Sequence, residues 1–215
     1  KIDRYLDVTK SALLFGGRAL LVEGIAEALL FPVIAKKFVL KNRAADFRKF
    51  RSTVFVPIDG VDFEPYAKVL LSPHNGVRIA DRVVIVTDGD KHTVEEGQNA
   101  PGERRKHDLA KLAADKGAAD LLDVCVNTYS LETELVAAGN AVYMKEVYLD
   151  LHPRSEKKWD EAAGQVGDAR AKAIQELFKN TPKGDFAQLL AEKIASGESF
   201  IVPDYIRKAI EALVK

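Results

Sequence analysis

Cysteine, methionine and tryptophan each occur once in these 215 residues. A single thiol, Cys125, closes no disulfide within the chain, so a cross-linked framework is excluded and a reducing compartment is expected. With one cysteine and four histidines (His74, His92, His107, His152) that lack paired spacing, the composition argues against a zinc site. No apolar stretch approaches the roughly 20 residues of a membrane span, and nothing resembles a signal peptide; a soluble, cytoplasmic protein without membrane contact is expected. Basic and acidic residues balance at 32 each, so net charge offers no bulk attraction to nucleic acid, and any such argument has to be local. The phosphate-loop pattern G-x-x-x-x-G-K-[ST] does not occur, which removes nucleotide hydrolysis by that route, and no nucleotide is expected to bind this stretch. The chain opens at Lys1 with its only methionine at Met144, from which we expect a fragment of a longer protein or a processed product.

What is present is an ordinary globular composition, 47% hydrophobic, arranged as alternating strands and helices. Residues 19 to 23 predict a first strand and 25 to 40 a helix, with Ala26, Leu29, Leu30, Val33, Ile34 and Phe38 at helical spacing. Val54 to Ile58 predicts a second strand and about 63 to 71 a helix, before the apolar run Val83-Val84-Ile85-Val86. A polar loop over 91 to 105, a helix over about 103 to 116 and a fourth strand near 120 to 126 follow. This order argues for parallel strands with right-handed crossovers and a sheet covered on both faces. After Glu132 only helical periodicity is found: about 131 to 150, then 155 to 179 with Trp159, Ala162, Val166, Ile174 and Phe178 on one face. Asp185 with Gln188 reads as a capping box opening a helix that stops at Gly197, and Pro203 suits the first turn of a last helix. The expectation is therefore an α/β core over 1 to 130 and an α-helical subdomain over 131 to 215, whose final helices return to the core.

The acids stand at the ends of the strands. Glu23 follows the first, with Glu27 one helical turn on; Asp88-Gly89-Asp90 follows the third; Ser130 and Glu132 open the helix after the fourth. Each taken alone is an ordinary turn or first-turn residue. Together they lie at carboxyl ends of parallel strands, where open α/β sheets bind ligands, and hard oxygen donors suit magnesium or manganese. On an extended backbone Asp88 and Asp90 would point the same way, with Gly89 permitting an unusual turn. The basic run Arg104-Arg105-Lys106-His107 reads equally as a solvated helix start or a phosphate contact.

A glutamate after the first strand and an Asp-x-Asp after a later one resemble the Toprim domain of topoisomerases, primases and nucleases. A closer resemblance is to the C-terminal half of the overcoming-lysogenization-defect (OLD) nucleases, in Leu6-Asp7-Val8-Thr9-Lys10-Ser11, Leu21-Val22-Glu23-Gly24 with Glu27, Asn127 to Glu132 and Lys183-Gly184-Asp185-Phe186-Ala187. It implies a Toprim-like parallel sheet flanked by helices with an added helical subdomain. It also implies nicking and cleavage of DNA with two divalent ions, Mg2+ or Mn2+, calcium being an alternative. Glu23, Glu27, Asp88, Asp90, Ser130 and Glu132 become metal-site candidates, with Glu23 and Asp88 also catalytic. One ion falls mainly to Glu23, Asp88 and Asp90 and the other mainly to Glu27, Ser130 and Glu132, with shared ligands possible, while Lys183 becomes a basic catalytic candidate that would stabilise transition-state charge or a leaving oxygen. An N-terminal ABC-type ATPase and a homo-oligomer are implied for the full-length protein. The competing readings are a Toprim scaffold that binds DNA without cutting and a magnesium-dependent phosphotransferase or phosphatase. The second is weakened because such enzymes place their Asp-x-Asp after the first strand. The segment Asp59-Gly60-Val61-Asp62 is less diagnostic, and its acids stay outside the core set.

Overall fold

Aliphatic residues that are buried whichever way they point demand a sheet covered on both faces, and alternate residues of the strands divide accordingly. The computed structural model describes residues 17–95, 97–197 and 199–215. Four strands, β1 (Arg18–Val22), β2 (Val54–Pro57), β3 (Arg82–Thr87) and β4 (Leu122–Val126), pair in parallel in the order β2-β1-β3-β4. The chain leaves β1 for β2 on one side and then returns to β3 on the other. The carboxyl ends of β1 and β3 therefore flank a switch point, the place where such sheets open a crevice.

Ala19, Leu21, Val83 and Ile85 face helices α3 (Glu64–Leu71) and α4 (Pro101–Asp115) through Tyr66, Leu70, Leu71, Leu109 and Ala113. Leu20, Val22, Val84 and Val86 face the opposite layer, where α1 (Ile25–Ile34) packs against α9 (Lys183–Ser196), and α10 (Asp204–Leu213) lies against β3 and β4. Between them come α2 (Ala44–Arg51), α5 (Leu131–Leu135), α6 (Ala141–Leu151), α7 (Glu156–Ala163) and α8 (Gly167–Phe178). The rings of Tyr148, Trp159, Phe178 and Phe186 meet at centroid separations of 4.7 to 6.5 Å and join α6 to α9. One apolar cluster runs from the sheet through all these later helices, so residues on either side of position 131 share a core.

Several elements differ from the sequence pattern. The helix expected over 25 to 40 passes at Ile34 into a π-helical turn, Ala35–Val39, and that expected over 131 to 150 contains another, Val136–Asn140. In the second, Gly139 takes φ 105°, and Asn140 ties the turn to the segment before α10 by accepting from the Ile201 N–H and donating to its carbonyl, both at 2.8 Å. The helix expected over 155 to 179 is two, broken where Gly167 takes φ 55°, and Val166, expected on the buried face, is exposed. Leu29, placed on the buried face of the first helix, is also exposed. Asp185 caps nothing: α9 begins two residues earlier, after Pro182. The loop expected over 91 to 105 is cut short at Pro101 by α4, and α2 was not anticipated, because only Phe47 and Phe50 mark its apolar side. The Leu6 to Ser11 stretch lies outside the described residues.

Candidate metal centre

Glu23 is the first residue beyond β1, and its backbone is fixed by the Gly60 N–H, which donates to the Glu23 carbonyl at 3.1 Å. Its Oε1 accepts from the Asp88 N–H at 2.8 Å, from Arg105 Nη1 at 3.0 Å and from the Thr87 hydroxyl. The same guanidinium donates to that hydroxyl and, at 3.3 Å, to the Asp88 carbonyl. Asp88 begins the segment after β3, and Asn127 begins the one after β4. Asn127 joins the two strand ends, donating from Nδ2 to Asp88 Oδ1 at 2.7 Å while its Oδ1 accepts from the Gly89 N–H at 2.9 Å.

Gly89 is needed for closeness and not for a turn. A Cβ there would run into the carbonyl oxygens of Asn127 and Thr128, and a Cβ on Gly102, in the first turn of α4, would lie 2.7 Å from the Gly89 Cα. Two glycines thus bring α4 onto the loop, and Arg105, one turn later, reaches Glu23. The unusual turn falls on Asp90 instead, at φ 53° and ψ 31°. Because its backbone is left-handed, Asp90 does not point with Asp88 as an extended strand would require. It lies on the other side of Arg105, Oδ2 at 4.0 Å from Nη2.

The opposite wall comes from helices. Glu27 in α1 and Glu132 in α5 are both buried. Lys183, the first residue of α9, places Nζ 3.2 Å from Glu132 Oε1; its side chain is 60% exposed and that of Glu132 only 7%. A cation in the first turn opposes the helix dipole, so Glu132 is what favours a lysine there. Glu23, Glu27, Asp59, Asp88, Glu132 and Lys183 line one cavity of about 280 Å³. Asp90 and Ser130 do not line it, and Ser130 instead caps α5, its hydroxyl accepting from the Thr133 N–H at 3.4 Å.

Burial raises the proton affinity of the acids, and their crowding adds to it. Glu27 is pushed up to about 7, first by burial and then by the charges of Glu132 and Glu23. Asp88 is held well above the usual carboxylate range by burial and then by Glu23, Glu27 and Glu132, with the Asn127 hydrogen bond opposing. Glu23 is raised by burial against the donors on its Oε1, and Lys183 is raised by Glu132. Carboxylates in this condition gain from a cation, and an all-oxygen donor set fits a hard divalent one. Among the described residues no three His, Cys, Asp or Glu groups already converge into a finished ion cage. Glu23 and Glu132 are turned toward Arg105 and Lys183, so an ion would enter between groups that now hold protein partners.

Three participants were not in the predicted set. Asn127 stood inside the quoted Asn127 to Glu132 stretch without a role, although its position directly after a strand was the available signal. Arg105 could not be told from its basic neighbours. Asp59, left out of the core set, lines the cavity from the end of β2 with φ 55°.

Residues 14–90 match the family model described as the overcoming lysogenization defect protein-like TOPRIM domain. The chain is similar to the C-terminal region of the Burkholderia pseudomallei OLD protein (23% identity, TM-score 0.69, covering 93% of this chain and 97% of that one). It is also similar to the C-terminal region of the Xanthomonas campestris pv. campestris OLD protein in structures phased with iodine (26% identity, TM-score 0.64, 93% and 94%) and with platinum (27%, 0.59, 93% and 92%). No curated protein matches the chain.

Proposed function

Since residues 14–90 match an OLD-like TOPRIM domain and the whole fold is that of OLD C-terminal regions, we propose that this chain is a divalent-metal-dependent DNA endonuclease. The observation that carries the reading is the gathering of Glu23, Glu27, Asp88 and Glu132 with Lys183 around one cavity at the switch point of the sheet. The similar structures are C-terminal regions of OLD proteins, which supports reading this chain as part of a larger protein; the family resemblance adds an ABC-type ATPase ahead of it and a homo-oligomer to the proposal.

Phosphodiester hydrolysis needs an activated water, neutralised phosphate charge and help for the leaving 3′-oxygen. Two bound magnesium or manganese ions would supply all three. Glu23 and Asp88 hold the sheet-side ligand positions, and Glu27 and Glu132 the helix-side ones. Arg105 and Asn127 keep Glu23 and Asp88 oriented, and Lys183, at the mouth of the cavity, offers its ammonium to charge developing on the phosphate. In the metal-free site Glu27 is pushed up to about 7, so an ion binding there would displace a proton from it. Asp90, turned across Arg105, adds negative charge beside Glu23 and raises its proton affinity.

Supercoiled plasmid incubated with the protein and magnesium or manganese tests the reading. Conversion to nicked and linear forms, abolished by chelator, is expected; binding without any conversion in either metal returns the chain to the scaffold class.

A further inference from the structure

We propose that the protein donors around the cavity select a small, octahedral cation, magnesium or manganese, over calcium, and that Arg105 and Asn127 are the positioning residues that set this preference. The inference rests on the metal-centre reading above and extends it from which residues bind to how many oxygens each can give.

Three of the cavity's carboxylates have one oxygen already committed. Glu23 Oε1 accepts from the Thr87 hydroxyl, the Asp88 N–H and the Arg105 guanidinium. Asp88 Oδ1 accepts from Asn127 Nδ2 at 2.7 Å. Glu132 Oε1 lies 3.2 Å from Lys183 Nζ. With three donors on Oε1, Glu23 offers an ion only its second oxygen, while the single donors on Asp88 Oδ1 and Glu132 Oε1 disfavour the use of both oxygens of either as a chelating pair. Calcium takes six to eight oxygens and commonly draws two from one carboxylate, whereas magnesium accepts single oxygens and fills its octahedron with water. The restriction is firmer on the sheet side. The Arg105 side chain is only 16% exposed and is wedged among Glu23, Thr87 and the Asp88 carbonyl, and Asn127 is fixed by the Gly89 N–H. A calcium ion asking for both oxygens of Glu23 would have to dislodge three donors at once.

Calorimetric titration of magnesium, manganese and calcium into chelator-treated protein reads the preference without reference to cutting. The unaltered chain is expected to bind magnesium and manganese at least as tightly as calcium. Arg105→Gln, which withdraws the guanidinium from Oε1, shifts the calcium-to-magnesium affinity ratio toward calcium by about tenfold, the scale on which groups behind metal ligands act. Arg105→Lys, which restores a cation, recovers part of the original ratio. Thr87→Val removes one donor in nearly the same volume and gives a smaller shift in the same direction, which covers the case where Arg105→Gln fails to fold. A parallel change in both affinities, leaving the ratio where it was in Arg105→Gln or Thr87→Val, would mean support of the fold alone and overturns the proposal. Glu23→Gln separates the two levels of argument. If the unaltered protein binds no ion, or Glu23→Gln binds as well as it does, the metal-centre reading fails and the proposal with it.

Discussion

The two walls of the cavity are built on different principles. On the sheet side Glu23 and Asp88 follow directly on paired strands, and one oxygen of each is held by protein donors: Thr87, Arg105 and the Asp88 N–H on Glu23, and Asn127, itself fixed by the Gly89 N–H, on Asp88. On the helix side Glu27 and Glu132 are buried by apolar packing, and the cation that faces them, Lys183, stands largely in solvent. Strands fix the direction of the first wall through their hydrogen bonds, so its ligands are set before any ion arrives. Helices supply burial and charge to the second, which leaves its acids short of counter-charge. A site joining one set wall to one charge-poor wall can hold a ligand in place while its affinity depends on pH.

Asp88 belongs to both walls, since it is held by Asn127 yet feels Glu23, Glu27 and Glu132, and its replacement carries the largest expected effect. Asp88→Asn keeps the shape and the acceptor for Asn127 Nδ2 but removes the charge. Plasmid cutting should fall by about 10³-fold, the scale on which loss of transition-state charge stabilisation acts. Thermal melting in chelator should be unchanged or higher, because a buried carboxylate that resists ionising has gone. Cutting at the unaltered rate would remove Asp88 from the site.

The helix wall makes its own prediction through Glu27. The folded state holds the Glu27 proton up to about 7, against an ordinary value of 4.5, so between these values the native protein binds more protons than the unfolded chain. Stability of the metal-free protein therefore falls as pH rises through that window, by up to about 3 kcal/mol for this group, and Asp88 and Glu23 act in the same direction. Below 4.5 both states are protonated and the penalty vanishes; above about 7 it is present in full. Urea melts at a series of pH values should show the decline in chelator, a flatter curve for Glu27→Gln, and a flatter curve with magnesium. A curve that rises from pH 5 to 7 in chelator contradicts the charge-poor wall.

Lys183 distinguishes electrostatic assistance from ligand positioning. Lys183→Ala should reduce turnover at saturating metal by around 10²-fold and leave calorimetric metal affinity little changed, and Lys183→Arg should restore only part, since a planar fork does not replace a compact ammonium. Turnover equal to the unaltered protein in both variants would return Lys183 to an ordinary surface role. Its distance of 3.2 Å to Glu132 would then be a salt bridge of the helix wall and nothing more.

The difference between the walls also explains what could be read in advance. Strand ends are legible because an apolar run that stops at an acid marks both the strand and its exit, which made Glu23 and Asp88 visible together with a parallel sheet, though not the order of its strands. The direction of Asp90 was not legible. One left-handed residue leaves no periodic trace, and Asp-Gly-Asp invited the assumption that glycine held the turn, whereas the glycine is there because Asn127 and Thr128 crowd it. Arg105 was hidden among Arg104, Lys106 and His107, because only the contact of Gly102 with Gly89 decides which of the four turns inward. On the helix side the pattern located Glu132, but Lys183 came from resemblance, since nothing local separates it from an exposed lysine before a helix. The division at 167 shows the same limit: Val166 kept helical spacing with its neighbours although the chain bends beside it.

Ser130 gives the smallest effect and the finest test of where the helix wall ends. Its hydroxyl accepts from the Thr133 N–H at 3.4 Å and lies 3.2 Å from the Thr133 hydroxyl, so it closes the first turn of α5, the turn that carries Glu132. Removing an N-cap of this kind costs about 1 kcal/mol, and the long donor distance puts Ser130→Ala at or below that figure. Because the cap only steadies the helix, cutting should change by no more than a few-fold and calorimetric magnesium affinity should hold, whereas Ser130→Asp, a good cap, should recover the lost stability. If Ser130→Ala instead lowers magnesium affinity by about tenfold with melting unchanged, the hydroxyl is serving the ion directly. The helix wall would then begin one residue before α5, with a neutral oxygen as its outermost donor.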